Sequence, residues 1–200
     1  AIAEALHLEG CKVALNSRNQ EVLSHVAAQL TGAIAVAGDV TQPTEARRVV
    51  SEVIQSFGKL DIVVCNVGSG KSVPPGEETA EEWQRIFALN LWSTTNTVAA
   101  ARDALAASKG AIVCISSICG LEVIAGAPVT YSAAKAALHA YVRGIARPLG
   151  IQGVRINAVA PGNILFKDSV WDRKITEDAE GVQQMLDNLS LIHISEPTRR

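Results

Sequence analysis

Tyr131 and Lys135 stand four residues apart in the run Tyr131-Ser132-Ala133-Ala134-Lys135-Ala136-Ala137-Leu138, whose alanines and leucine favour a helix. Four residues turn a helix by about 400°, so the phenol and the ammonium rise from one face. A cation beside a phenol favours the phenolate and lowers a pKa that starts at about 10 by about 1–3 units, which brings proton exchange toward neutral pH. That is the chemistry needed to interconvert an alcohol and a carbonyl. A bare Tyr-x-x-x-Lys also arises by chance on helices, so its neighbours decide. Upstream, the pair Ser116-Ser117 ends the apolar run Ala111-Ile112-Val113-Cys114-Ile115. Such a run reads as a buried parallel strand, and open α/β sheets bind their ligands at the carboxyl ends of these strands.

With this tyrosine, lysine and strand-end serine in order, the chain resembles the short-chain dehydrogenase/reductase family over most of residues 1–175. The resemblance implies a catalytic set of Asn90, Ser117, Tyr131 and Lys135 beside a nicotinamide cofactor. Tyr131 would pass a proton to a carbonyl oxygen, and Ser117 would hydrogen-bond the developing alkoxide. Lys135 would lower the tyrosine pKa and hold the nicotinamide ribose. Asn90 would hold a water in a proton relay to Lys135. Ser117 precedes Tyr131 by fourteen residues, one more than is usual in the family, which places an extra residue in the loop Leu121–Pro128. Gly120 keeps the family register and favours Ser117 over Ser116.

These residues need a scaffold of alternating strands and helices. The chain opens on a helical stretch, Ala1–Leu8, that stops at Gly10. Apolar runs at Lys12–Asn16, Ala33–Ala37, Leu60–Cys65, Ala111–Ile115 and Gly153–Ala160 read as strands, with helical patterns between them. The expected fold class is α/β, a Rossmann-type doubly wound parallel sheet, incomplete because the family's first strand, its Gly-rich loop and its last strand are not found in these residues. The absent first strand would be central, between the strands at Lys12–Asn16 and Leu60–Cys65, so a chain without it is expected to fold poorly and not to work as an enzyme. Residues 1–189 would form a partial dinucleotide-binding oxidoreductase domain. Residues 190–200 resemble a non-native tail.

Ser17 and Arg18 follow the first of these strands, where an acid would accept from the ribose hydroxyls of NAD and an arginine would pair with the 2′-phosphate of NADP. The expected cofactor is therefore NADP(H) in preference to NAD(H). By the resemblance, Asp39 and Val40 line the adenine, and Asn66 ties neighbouring strands together. Gly68 lets backbone approach a ribose, and Pro161, Gly162 and Ile164 border the nicotinamide beside Tyr131 and Lys135. Phe166 replaces a frequent threonine, and residues 165–189 would form a substrate lid. Asn90 falls inside a helix opened by the capping box Thr79-Ala80-Glu81-Glu82, where an asparagine needs compensation for its low propensity.

Two hundred residues with 48% hydrophobic and 19% charged residues suit one globular domain. Lys plus Arg number 18 and Asp plus Glu 20, a net charge of −2, so no basic surplus argues for nucleic acid or an anionic membrane. No apolar run approaches the roughly 18–20 residues of a membrane span. The expectation is a cytoplasmic protein. Four cysteines lack metal-ligand spacing, so no metal is expected, and His7, His25 and His139 read as structural or surface residues. The expected partners are a small carbonyl or alcohol substrate and, from the family, a second or fourth copy of the chain. The substrate stays open between a sugar-related compound, a 3-oxoacyl thioester and another carbonyl. A noncatalytic dinucleotide-binding scaffold and a fragment without function are the rival readings.

Overall fold

The computed structural model describes residues 1–124, 126–164 and 175–183. It divides into a unit of Ala1–Ala160 and a second of Pro161–Arg200. In the first, helices and parallel strands alternate as α1 (Ile2–Leu8), β1 (Ala14–Ser17), α2 (Gln20–Ala27), β2 (Ile34–Ala37), α3 (Pro43–Phe57) and β3 (Ile62–Cys65). Then come α4 (Ala80–Phe87), a π-helical turn (Ala88–Trp92), α5 (Ser93–Ser108), β4 (Ala111–Ile115), a 3-10 turn (Ile118–Gly120), α6 (Val129–Ile151) and β5 (Arg155–Val159). In the second unit, residues 175–177 and 179–183 are helical. No helix among the described residues is long and apolar enough to cross a membrane.

The strands form two parallel sheets: β1 pairs with β2, and β3, β4 and β5 lie side by side in that order. The fold class is α/β as expected, but the single sheet is split. The break falls between β1 and β3, where the resemblance assigns a further strand. Helix α3 serves both sheets: Val49 and Val53 pack with Val36 of β2, while Val50 joins the core over β3 and β4.

That larger core shows the period of two that strands impose. Ile112 and Cys114 point into it, as do Val63 and Cys65 across the register pairs Val63↔Ile112 and Cys65↔Cys114. Val98, Ala101 and Leu105 of α5 and Leu138, Val142 and Leu149 of α6 cover them. Fully burying a side chain such as Leu105 or Ile112 contributes about 1.5–3 kcal/mol. The apolar runs predict strands buried on both faces, yet among the described residues the helices of this core cover one face only. The other bears a concavity of about 530 Å³ whose lining includes Ile2, Leu6, Ile62, Val64 and Val113. Its lining does not include Tyr131, so it does not mark the chemistry.

Candidate active site

Helix α6 begins at Val129 behind Pro128, whose φ of −59° suits the approach to a helix. Its first two turns carry Tyr131 and Lys135. Lys135 is 4% exposed, and its Nζ donates to the Ile115 carbonyl at 2.8 Å while lying 5.8 Å from the centre of the Tyr131 ring. The strand end supplies Ser117, whose hydroxyl accepts from the Cys119 amide at 3.2 Å and so caps the 3-10 turn. That turn rests directly on α6. A Cβ at Gly120 would stand 2.6 Å from the Lys135 carbonyl carbon and 2.8 Å from the Ala136 amide, backbone that cannot give way. Backbone-to-backbone packing thus sets the turn that carries Ser117 against the helix that carries Tyr131, close enough for the serine hydroxyl to act on the acidity of the phenol.

Asn90 sits fully buried at the centre of the π-helical turn between α4 and α5. Its side chain works as a two-sided clamp on the loop after β3: Oδ1 accepts from the Ser69 amide and Nδ2 donates to the Ser69 carbonyl, both at 3.0 Å. Nδ2 also donates to the Ile86 carbonyl at 3.0 Å. The cost of a mid-helix asparagine is offset by these bonds and by a local change of helix type, a feature that recurs at functional sites. Gly68 is set against the same group, since a Cβ there would come within 2.7 Å of Asn90 Oδ1 and 3.3 Å of Lys135 Nζ. The resemblance explains Gly68 by the approach of a ribose; the structure adds that the asparagine and the lysine occupy the space of a side chain.

Two expectations change. Tyr131 is pushed above the ordinary phenol value by burial; the Ser117 hydrogen bond pulls the other way, and a nearby Cys119 adds to the rise. The net shift is upward, against the lowering expected from Lys135. The lysine is itself brought down to about 8 by burial, and its ammonium is engaged by the Ile115 carbonyl. The phenol is therefore protonated at neutral pH, ready to donate. Asn66 does not tie strands together among the described residues, where it is exposed and makes no hydrogen bond. Asn16 does this work instead, donating from Nδ2 to the Val36 carbonyl at 2.9 Å and the Gly38 carbonyl at 3.2 Å.

At the other sheet, Ser17 accepts from the Asn19 amide at 3.2 Å. Arg18 is exposed, with no hydrogen bond or ion pair among the described residues. The Asp39 carboxylate holds Thr41 through its amide at 3.0 Å and its hydroxyl at 2.7 Å, and Val40 is buried with its carbonyl accepting from Asn96 at 3.2 Å. Pro161, Gly162 and Ile164 open the second unit. Phe166 and most of the proposed lid, and the tail 190–200, lie outside the described residues.

The residues present fit a dinucleotide. They offer an unpaired guanidinium for a phosphate, polar groups at the ends of β1 and β2, and a buried lysine that spends one of its three donors on protein. His139, read from the sequence as a structural or surface residue, is half-buried with Nε2 3.0 Å from Ser116 Oγ. It stands one helical turn beyond Lys135 on the same face.

The family profile described as enoyl-(acyl carrier protein) reductase matches residues 1–191. An uncharacterised oxidoreductase of Staphylococcus aureus strain MW2 is 35% identical over 210 residues, covering 100% of this chain and 90% of that protein. The crystal structure of a 3-ketoacyl-ACP reductase from Sinorhizobium meliloti superposes with a TM-score of 0.77 at 35% identity, over 82% of this chain and 67% of that one. A short-chain dehydrogenase from Streptomyces avermitilis gives a TM-score of 0.77 at 29% identity, over 83% of this chain and 62% of that one. With the Ser117, Tyr131 and Lys135 cluster at the carboxyl ends of parallel strands, these matches place the chain in the short-chain dehydrogenase/reductase family of NAD(P)-dependent oxidoreductases.

Proposed function

We propose that the protein is an NADP-dependent carbonyl reductase in which Tyr131 is the proton donor, with 3-oxoacyl thioesters as the first substrate class to test. The observation that carries this reading is the half-buried Tyr131 phenol, whose ring centre lies 5.8 Å from Lys135 Nζ, on a helix packed against the turn that carries Ser117. NADPH, when bound, supplies hydride to the carbonyl carbon. Tyr131 gives its proton to the carbonyl oxygen, and Ser117 hydrogen-bonds that oxygen as negative charge grows on it. Lys135, partly protonated near its pKa of about 8, has donors left for a ribose hydroxyl and supports the phenolate that remains. Asn90 fixes the loop at Ser69 against which Lys135 packs, and gives a buried polar path toward the lysine.

Arg18 supports NADP over NAD because its exposed guanidinium, with no partner among the described residues, is open to pair with a 2′-phosphate. The likeness to a 3-ketoacyl-ACP reductase supports the thioester class. A homodimer or homotetramer is part of the same reading. The test is NADPH oxidation with an acetoacetyl thioester and a panel of ketone and ketose probes, for the wild-type protein and Tyr131→Phe. The expected loss is at least about 10²-fold in kcat, the low end for a positioned proton donor. Near-normal turnover by Tyr131→Phe would remove the tyrosine from the mechanism.

A further inference from the structure

We propose that His139 is a positioning residue that fixes Ser117 for the proton transfer, acting through Ser116 and the Ser117 carbonyl; this rests on the carbonyl-reductase reading above. Three successive turns of α6 address the end of β4. Tyr131 comes close enough to the Ser117 hydroxyl for the serine to act on its acidity, Lys135 donates to the Ile115 carbonyl at 2.8 Å, and His139 places Nε2 at 3.0 Å from Ser116 Oγ and 3.5 Å from the Ser117 carbonyl. The first two groups belong to the proposed chemistry, whereas His139 touches neither substrate nor phenol. Its contacts are with the residue before the serine and with the backbone of the serine itself.

Ser116 is 4% exposed, so its hydroxyl has little water to bond and depends on His139. Its amide is held from the other side, donating to the Val159 carbonyl of β5 at 2.7 Å. The residue is thus pinned between strand and helix. A single ring nitrogen faces two oxygens, and this selects its state. With a proton, Nε2 donates to both; with a lone pair, it would repel the Ser117 carbonyl. The Nε2–H form is the one the proposed positioning role requires. A leucine or valine at 139 would leave the Ser116 hydroxyl unpaired and the Ser117 carbonyl unheld. Loss of this anchor shifts Ser117 relative to Tyr131, and catalytic hydrogen bonds are sensitive to displacements well below 1 Å.

The test measures kcat and KM separately in the full chain with NADPH and an acetoacetyl thioester, for His139→Phe, His139→Gln and Tyr131→Phe. Phenylalanine keeps the ring volume without a donor; glutamine restores an amide donor near the place of Nε2. His139→Phe should lose about tenfold in kcat with KM within about twofold, and His139→Gln should recover most of it. A purely structural role would not separate kcat from KM or respond to the donor. Unchanged kcat in His139→Phe while Tyr131→Phe collapses would overturn the positioning role and leave the reductase reading standing. An active Tyr131→Phe would overturn both. Should His139→Phe fail to fold, Ser116→Ala decides: a fall in kcat at constant KM supports the proposal, and an unchanged kcat refutes it. Independently of turnover, ¹⁵N NMR of the labelled histidine should show the Nε2–H form; a bare Nε2 would overturn the arrangement.

Discussion

At the scale of single residues, burial and partner number explain the site better than residue identity does. Tyr131 and Lys135 were legible in the sequence because their spacing alone puts them on one face. Their acidities were not. Spacing alone predicts a phenol made more acidic by an ammonium, whereas desolvation raises the phenol and lowers the lysine to about 8. Asn66 fails for a related reason: its expected role needs a strand beside β3, and no residue type can announce its neighbour. Arg18 presents the opposite case, an exposed guanidinium with no partner among the described residues, to which the proposed reading gives the NADP phosphate. Arg18→Ala should lower kcat/KM for NADPH by about tenfold or more while leaving NADH nearly unchanged, through loss of a charge-assisted phosphate pair. Steady-state kinetics with both cofactors reads this, and an unchanged ratio would mean that Arg18 points to solvent.

At the scale of elements, the capping box at Thr79 was readable, but only half of it forms. Thr79 accepts from the Glu82 amide at 3.2 Å. The Glu82 carboxylate turns elsewhere, accepting from Arg85 at 2.6 and 2.7 Å and from the Ser72 hydroxyl at 2.7 Å. Since Ser72 spends its proton on Glu82, Thr130 donates to Ser72 across 2.6 Å. Arg85 also reaches the Lys71 carbonyl at 2.8 Å. The loop before α4 is thereby fastened to the start of α6, one residue from Tyr131. Periodicity could not show this, because it joins residues 58 apart in sequence. Arg85 above all, with help from Ser72, holds Glu82 down at about 2 against an ordinary 4.5. A carboxylate with a depressed folded-state pKa contributes stability that is complete above its unfolded value and is lost as pH falls through the folded one. The stability difference between wild type and Glu82→Gln should therefore shrink as pH goes from 4.5 to about 2. Denaturant unfolding across that range checks it, and a constant difference would mean that the network is not held in solution.

At the scale of the whole molecule, the α/β class was legible from apolar runs and helical stripes, while the strand order β3-β4-β5 and the split between the two sheets depend on pairing that those runs leave open. Trp83 and Phe87 stack at 5.8 Å between ring centres, with the exposed Trp92 beside them. An aromatic surface on the helices that carry Asn90 is suited to contact with another copy of the chain. Light scattering at micromolar concentration should give two or four times the monomer mass, and Trp92→Glu should lower it; a monomeric wild type would reject the assembly. The central claim, that these elements converge to deliver hydride and a Tyr131 proton to a carbonyl, has one direct measurement. The acetoacetyl thioester is reduced with NADPH deuterated at its transferable position, and the product is weighed by mass spectrometry. The account predicts one deuterium on the new carbinol carbon with the wild-type protein, and a yield at least about 10²-fold lower with Tyr131→Phe. An unlabelled alcohol, or equal labelled yield from both proteins, would contradict it.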